Sequence, residues 1–362
     1  MRKILFILNN LEGGGAERVF VNIANGFVAN GIEVDFLLGN KRGLYLNILN
    51  PSITVTETGG TSFYTYLRSF PKIFKQKQYT HIFTASDYIS AAAILSKKTS
   101  GVASKIYLTH HYNLPPNRPF KHWKGDLVAK LIHTFITPHA DKIITVSKGS
   151  LTWLRRFSNN KVLNAITIYN PVYDESIYKL ASEELHYPTN VAGKIIVVSA
   201  GRLEEQKDQL TLIKAIAILK ETLPNIILFI LGSGPLKAEL ENYIHQHKLQ
   251  NEVVLVGFDS NPYKWLSKCT VFAMSSISEG FGNVLVEAIA LGKTVVSTNC
   301  PSGPAEILQN GELGYLCPVK DPVMLSTAIL KAIESPLDPA VLQAASQQYT
   351  ISAIVAKYME TL

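Results

Sequence analysis

The sequence contains little cysteine and no long apolar run. Its 362 residues include three cysteines, Cys269, Cys300 and Cys317, none of them in a CxxC spacing. Such isolated thiols argue against a disulfide scaffold or a cysteine-built zinc site, and they predict a reducing, cytoplasmic environment. The apolar run at residues 4–8 is too short for the core of a signal peptide, so we expect none. No apolar stretch of about 18 residues occurs, so we expect no membrane-spanning segment.

Charge is also scarce, and it is unevenly distributed. Charged residues make up 17% of the chain against 47% hydrophobic residues, which excludes disorder as the dominant state. Residues 1–170 contain 21 Lys and Arg against 8 Asp and Glu, whereas the remainder contains 14 against 20. The basic half predicts an anionic partner, either a membrane surface, a nucleic acid or a phosphorylated acceptor. A merely solvated basic surface is the alternative.

The two halves of the sequence begin with the same pattern. Strand, glycine-rich loop, helix and strand are predicted at residues 3–8, 12–15, 16–29 and 33–38. The order repeats at residues 194–199, 200–207, 209–222 and 225–231. Alternating strands and helices predict an α/β protein with parallel, doubly wound sheets. We therefore expect two domains, at 1–170 and 194–348, joined by a linker at 171–193 that contains Pro171 and Pro188.

Ligands of doubly wound sheets bind beyond the carboxyl ends of the strands, so the loops at those ends are the candidate sites. Gly13, Gly14 and Gly15 follow the first strand, where glycine lets the backbone approach an anion at a helix N-terminus. A G-x-G-x-x-G fingerprint would need a small residue in place of Arg18, which disfavours NAD. No Walker motif is present. A glycine-rich turn without a ligand is the alternative.

Cations follow the first strand of the second half. Arg202 and Lys207 lie on the predicted loop 200–207, where both could neutralise a diphosphate. They could equally form salt bridges with nearby acidic residues. The candidates for these salt bridges are Glu204, Glu205 and Asp208.

Two carboxylates frame the most informative segment, residues 278–288. Glu279 precedes a turn built on Gly280 and Gly282, and Glu287 lies about one turn inside the helix that follows. A loop carboxylate can accept hydrogen bonds from sugar hydroxyls, and a helical one can bind a ribose diol. The amides of the first helical residues can bind a phosphate; these are Asn283, Val284 and Leu285. Alternatively, Glu279 caps the helix and Glu287 is a surface residue.

Two adjacent histidines, His110 and His111, follow the predicted strand 105–108 in the segment 109–113. Their side chains point in different directions on extended backbone, so by themselves they are a poor metal pair. Either one could hydrogen-bond a sugar hydroxyl or a backbone carbonyl, and a structural role is as well supported.

Taken together, these residues resemble the retaining glycosyltransferases of family 4, which have the GT-B fold and use nucleotide-sugar donors. The matched segments are Gly13 to Arg18, Ala200 to Leu203 with Gln206 and Lys207, Leu231 to Pro235, and the E-x7-E signature from Glu279 to Glu287. The sequence is particularly similar to the bacterial envelope and glycan-assembly subgroup, which carries P-S-G-P-x-E-I-L, here Pro301 to Leu308. The resemblance covers essentially the whole chain.

The resemblance implies two Rossmann-like domains that face each other across a cleft, with the acceptor in 1–170 and the donor in 194–348. The C-terminal helix, 349–362, would return to the N-terminal domain. The implied catalytic residues are His111, Glu279, Arg202 and Lys207. The implied donor-binding residues are Gly14, Gly15, Gly201, Gly232, Gly257, Phe258, Gly280, Phe281, Gly282, Asn283, Val284, Leu285 and Glu287. Arg18 and His110 would bind the acceptor, and His110 rivals His111 as the histidine near the sugar.

The expected function is transfer of a hexose or N-acetylhexosamine from a nucleotide-sugar, a UDP-sugar by preference, to a lipid-linked or oligosaccharide acceptor in cell-envelope polysaccharide, lipopolysaccharide or glycan synthesis. The enzyme would be cytoplasmic and peripheral on an anionic membrane surface. No metal or other cofactor is expected, because Arg202 and Lys207 supply positive charge and no D-x-D motif occurs.

Other functions are compatible with the same residues. Within the fold, the alternative is a nucleotide-sugar epimerase or a phosphorylase. From another class, it is a non-catalytic module that binds a nucleotide-sugar or a nucleic acid. Nucleic-acid binding would be better supported by aromatic residues interleaved with Lys and Arg on strands, so no nucleic-acid partner is expected.

Overall fold

A computed structural model of the chain describes residues 2–111 and 123–362 and divides them into two compact units. Unit 1 comprises Met1–Val172 and Ile351–Leu362, and unit 2 comprises Tyr173–Thr350. Each unit is built on a parallel β-sheet with helices between successive strands. The predicted fold class, α/β with two Rossmann-like doubly wound domains, is confirmed.

Unit 1 has seven described strands, which pair in the order β3-β2-β1-β4-β5-β6-β7. The strands are β1 (Lys3–Leu8), β2 (Glu33–Leu38), β3 (Thr54–Glu57), β4 (His81–Thr84), β5 (Lys105–His110), β6 (Lys142–Thr145) and β7 (Ala165–Thr167). The helices are α1 (Gly15–Ala29), α2 (Phe63–Lys77), α3 (Asp87–Ser100), α4 (Trp123–Leu131) and α5 (Lys148–Phe157). A π-helical turn, Ile132–Ile136, continues α4.

Unit 2 has six described strands in the order β10-β9-β8-β11-β12-β13. The strands are β8 (Ile195–Ala200), β9 (Ile226–Leu231), β10 (Val253–Gly257), β11 (Val271–Met274), β12 (Val295–Thr298) and β13 (Tyr315–Cys317). Its helices are α6 (Ser176–Ala181), α7 (Gln209–Leu219), α8 (Lys237–Gln246), α9 (Tyr263–Lys268), α10 (Asn283–Ala290), α11 (Pro304–Ile307), α12 (Pro322–Glu334) and α13 (Pro339–Ser346).

The central strands are buried on both faces, which is why their sequences are continuous apolar runs rather than alternating ones. In β1 the residues from Ile4 to Ile7 are fully buried, and Phe6 packs within 5.3 Å of the rings of Phe20, Phe36 and Phe83. The strand order reverses beside β1 in unit 1 and beside β8 in unit 2. The loops after these two strands therefore lie at the switch points where such sheets bind ligands.

The segment predicted as a linker, 171–193, contains helix α6 and is otherwise mostly irregular. From Tyr173 onward it belongs to unit 2, where α6 buries Ile177 and Ala181 against α9. Helix α14, Ile351–Met359, lies in unit 1 and packs against α1. None of the described helices is both long enough and apolar enough to cross a lipid bilayer.

Candidate active site

In the glycine loop of unit 1, backbone amides are hydrogen-bonded to a carboxylate of the protein itself. Gly14 caps α1, and the carboxylate of Glu17 accepts hydrogen bonds from the amides of Gly13 at 2.8 Å and Gly14 at 2.9 Å. This arrangement satisfies amide groups that a helix N-terminus leaves unpaired. A phosphate could reach these amides only by displacing Glu17. Gly15 and Arg18, also predicted here, lie in the first turn of α1.

The two adjacent histidines lie on opposite faces of the sheet at the end of β5. His111 is half-buried, packs edge-on against Phe20 of α1, and makes a 2.9 Å hydrogen bond through Nε2 with Thr109 Oγ1. Burial, with a smaller contribution from His110, lowers the pKa of His111 to about 3, so the ring is neutral at physiological pH. His110 is buried and stacks on Trp153 instead. Of the predicted segment 109–113, Tyr112 and Asn113 lie outside the described residues.

The structure gives the two cations of the β8 loop different partners. Arg202 is exposed and its Nε lies 2.5 Å from Glu204, one of the acidic partners considered from sequence. Lys207 instead reaches the loop after β11, where its Nζ lies 2.5 Å from Oε1 of Glu279. The ion pair therefore joins two loops at the carboxyl edge of one sheet.

Glycines let the loops of unit 2 approach each other closely. A Cβ on Gly232 would lie 2.0 Å from the carbonyl oxygen of Gly201, and one on Gly234 would lie 2.4 Å from that of Leu203. Gly232 donates a 2.7 Å hydrogen bond to Gly257, which has a φ of +89°. The close packing of these loops therefore requires glycine at positions 232 and 234 whether or not a ligand binds there. Phe258, predicted beside the nucleotide base, is 64% exposed.

Glu279 is held by several neighbours. Its side chain is buried, and Oε1 accepts a 2.6 Å hydrogen bond from Ser276 in addition to the ion pair with Lys207. Gln206 donates to the carbonyl of Ser278 at 2.8 Å, which ties the same two loops together a second time. After Gly280 and the buried Phe281, Gly282 adopts a φ of +104° and α10 begins. The N-cap residue of α10 is Gly282.

Glu287 is buried inside α10 rather than exposed at the surface. Its Oε1 accepts a 3.2 Å hydrogen bond from the hydroxyl of Tyr263, which begins α9. A carboxylate in this position needs polar partners, because burial of an unpaired charge is costly. Sequence reasoning did not single out Tyr263 or Ser276, since nothing in their local spacing indicates a contact with either glutamate.

A further polar cluster lies in unit 1. His110, His133 and Asp87 come from three separate elements, and one potential ligand atom of each lies within 4.8 Å of the others. Sequence analysis singled out His110 but not its two neighbours, which are distant along the chain.

Comparison with known proteins gives the family. Residues 13–175 match the family described as Glycosyltransferase Family 4, and residues 182–349 match that described as Glycosyl transferases group 1. A Campylobacter jejuni relative, named N-acetylgalactosamine-N,N'-diacetylbacillosaminyl-diphospho-undecaprenol 4-alpha-N-acetylgalactosaminyltransferase, is 30% identical over 338 residues, which cover 88% of this chain and 87% of the relative. The chain belongs to the family 4 glycosyltransferases.

A second relative and a solved structure are also similar to this family 4 glycosyltransferase. A second Campylobacter jejuni protein, named as a GalNAc-alpha-(1->4)-GalNAc-alpha-(1->3)-diNAcBac-PP-undecaprenol alpha-1,4-N-acetyl-D-galactosaminyltransferase, is 23% identical and covers 90% of this chain and 87% of its own. A crystal structure of Anabaena HepE in complex with UDP-glucose matches with a TM-score of 0.80 at 22% identity over 100% of both chains. The structural likeness confirms the GT-B fold.

Proposed function

We propose that this family 4 glycosyltransferase moves a hexose or N-acetylhexosamine, with retention of anomeric configuration, from a UDP-sugar to a lipid-linked glycan acceptor in cell-envelope polysaccharide or glycan synthesis. The observation that carries the proposal is the network at the carboxyl edge of the unit 2 sheet. There Lys207, Glu279 and Ser276 join two loops, and the buried Glu287 follows one turn into α10.

The network supports a division of labour on the donor. Lys207 and Arg202 stabilise the negative charge that develops on the leaving diphosphate, which is the largest electrostatic demand of the transfer step. The α10 amides of Asn283 and Val284 add the positive end of a helix, and the amide of Leu285, predicted with them, donates a 3.0 Å hydrogen bond to the carbonyl of Gly282. Glu279 binds the transferred sugar, and Glu287, oriented by Tyr263, binds the ribose. Gly257 and Phe258 border the base.

Unit 1 is proposed to bind the acceptor. His111, which is neutral because burial lowers its pKa, can donate a hydrogen bond to a sugar hydroxyl or accept one from it, and Arg18 completes the proposed acceptor set. His110, which the sequence also suggested for the acceptor, is 1% exposed on the opposite face of the sheet and is left out of this set. The names of the two Campylobacter relatives include undecaprenol-linked acceptors, which supports a lipid-linked substrate. With such a substrate, the proposed location of the enzyme is the cytoplasmic face of the membrane, as a peripheral protein.

The first test is a thermal-shift panel of UDP-, GDP- and ADP-sugars, because only a ligand that binds the native state raises the melting temperature. A UDP-sugar at about 100 times its dissociation constant should stabilise the protein by about 2.7 kcal/mol. The Glu287→Gln variant should lose about half of this stabilisation or more, whereas Glu241→Gln, at an exposed site on α8, should not.

Turnover then distinguishes transfer from the other reactions. Incubation with a UDP-sugar and an undecaprenyl-diphosphate-linked saccharide should give an extended glycan, and the donor alone should give no epimer. Transfer should proceed without added Mg²⁺ or Mn²⁺. An epimerised donor, a strict need for either ion, or binding of the nucleotide-sugar without transfer to any lipid-linked saccharide would each contradict the proposal.

A further inference from the structure

Three polar side chains converge behind strand β5, on the face opposite His111. Asp87 lies in the first turn of α3, His110 ends β5, and His133 lies in the π-helical turn after α4. The two histidines are 1% and 0% exposed, and Asp87 is half-buried. π-Helical turns are rare and occur frequently at functional sites. Three elements distant in sequence therefore bring two imidazoles and one carboxylate to a single point.

The orientation of His133 matches that of a metal ligand. Its Nδ1 lies 3.3 Å from the hydroxyl of Thr137, one helical turn away, which leaves Nε2 for the centre of the cluster. Nε2 lies 3.2 Å from Oδ1 of Asp87, yet it forms no directional hydrogen bond within the described part of the chain. Metal-ligating histidines are held in this way, with one nitrogen on a polar partner and the other on the ion.

Aromatic rings pack against both histidines. The rings of His110 and His133 are nearly perpendicular, at 84°, with centroids 5.4 Å apart. Trp153 stacks on His110 at 5.3 Å, and Phe157 packs edge-on against His133 at 5.7 Å. An apolar shell of this kind limits the access of water to the site.

We propose that Asp87, His110 and His133 form a binding site for a divalent transition-metal ion of the Zn²⁺ class. Imidazole nitrogen with one carboxylate suits zinc and its neighbours, whereas Mg²⁺ and Ca²⁺ require oxygen ligands. Zinc–ligand distances of about 2.0 to 2.1 Å place neighbouring ligand atoms of a tetrahedral site about 3.3 Å apart. Asp87 and His133 already have this separation at 3.2 Å, and the three ligand atoms lie within 4.8 Å of one another. Side-chain rotation would bring the third ligand in and leave a fourth position open.

This site departs from the sequence-based expectation of no metal, but it belongs to unit 1, whereas the proposed diphosphate-binding residues belong to unit 2. The expected role of the ion is to fix the carboxyl end of β5, and with it the adjacent His111. The proposal does not depend on the donor or on the transfer reaction, so it stands or falls separately from them.

Zinc binding by the full-length, chelator-treated protein tests the inference. We expect one tight equivalent of Zn²⁺ by competition titration, a higher melting temperature in its presence, and visible absorption when Co²⁺ takes its place. His110→Gln, His133→Gln and Asp87→Asn should each weaken binding by about 100-fold or more. Thr137→Val, which removes only the partner of Nδ1, should weaken it by about 10- to 100-fold.

The matched control is His139→Gln, at an exposed histidine six residues after His133, and it should retain the tight equivalent. Circular dichroism of each metal-free variant separates loss of the ion from loss of the fold. Absence of a tight equivalent in the wild-type protein overturns the proposal. So does a tight equivalent that persists in folded variants of all three ligands, because the ion would then be held elsewhere.

Discussion

At the scale of single residues, Glu279 and Glu287 are two buried carboxylates with different partners, an ion pair in one case and a tyrosine hydroxyl in the other. A hydrogen bond to a charged group is worth roughly 1.5 to 3 kcal/mol. Glu287→Gln should therefore weaken UDP and UDP-sugar alike, by about ten- to a hundredfold. Glu279→Gln should keep UDP affinity and lower turnover, because contacts that strengthen as the sugar becomes positive affect the rate.

Isothermal titration with UDP, beside steady-state kinetics with the full donor, measures the two effects separately. Tyr263→Phe is a milder change at the same site as Glu287→Gln, since it removes one hydrogen bond and leaves the carboxylate in place. Its loss of UDP affinity should be the smaller one. If both glutamate variants lose UDP affinity equally, Glu279 does not act on the transferred sugar alone. If neither variant loses affinity or turnover, both residues have only structural roles.

His81 predicts a pH-dependent stability. This buried histidine has a pKa lowered to about 4, first by burial and then by the charges of Lys105 and Arg2. Between about pH 6.5 and 4 the unfolded chain binds a proton at this site that the folded chain does not. Stability should fall as the pH drops through this range, by up to about 1.4 kcal/mol per pH unit from His81 alone.

Urea midpoints from pH 7 to 4.5 check the prediction. His81→Gln should flatten the pH dependence, whereas His139→Gln, at an exposed histidine, should leave its slope unchanged. An unchanged slope in the His81 variant would mean that this residue titrates alike in the folded and unfolded chains.

At the scale of elements, the turn before α10 depends on a glycine in another loop. Gly303, with a φ of +96°, lies so close that a Cβ would be 1.8 Å from the carbonyl oxygen of Phe281. Gly311 has a similar φ of +111°, but a Cβ there would meet nothing within 4 Å. Alanine at either position carries backbone strain of about 1 to 3 kcal/mol, and only at Gly303 must the turn 280–282 also move.

Gly303→Ala should therefore destabilise the protein more than Gly311→Ala in urea unfolding, and it alone should reduce UDP affinity, by at least tenfold. Equal costs of unfolding in the two variants would show that the contact with Phe281 relaxes freely. Retained affinity in a destabilised Gly303 variant would show that the turn 280–282 does not contact the nucleotide.

Sequence predicted the individual elements better than the contacts between them. Helix α1 and strand β9 begin within one residue of their predicted starts, because apolar periodicity and glycine or proline boundaries are local signals. Strand β5 runs two residues beyond the prediction and includes His110, because pairing with β6 extends it. The ion pair between Lys207 and Glu279 joins residues that are 72 positions apart in the sequence. No local sequence pattern indicates a contact between residues so far apart.

At the scale of the whole molecule, part of the excess positive charge of the first half of the chain lies on one exposed side of α2. Arg68, Lys72 and Lys75 are exposed and spaced four and three residues apart, so they share one side of the helix. Lys77 is different, because it pairs with Asp35 at 2.9 Å. Two other basic candidates, Lys121 and the side chain of Lys124, lie outside the described part of the chain.

We predict that the protein binds liposomes with anionic lipids reversibly, and that replacing Arg68, Lys72 and Lys75 together by Glu lowers this binding at least tenfold. Binding should also weaken as salt rises, since exposed charges are screened over about 8 Å at physiological ionic strength. Co-sedimentation with anionic and neutral vesicles measures both effects. The control is a triple Glu replacement on unit 2, at Lys220, Lys237 and Lys248. If the α2 variant binds as the wild type does, its charge is only a solvated surface.

Helix α14 joins unit 1 only after the chain has passed through unit 2. A ribosome therefore finishes the contiguous residues of unit 2 before it makes the helix that packs on α1. Until then, two residues of unit 1 lack their packing partners on α14. Gly26 packs against Val355, and the ring of Phe83 packs against that of Tyr358. The half that is synthesised first is thus the last to be completed, and until then it exposes apolar surface that α14 later covers.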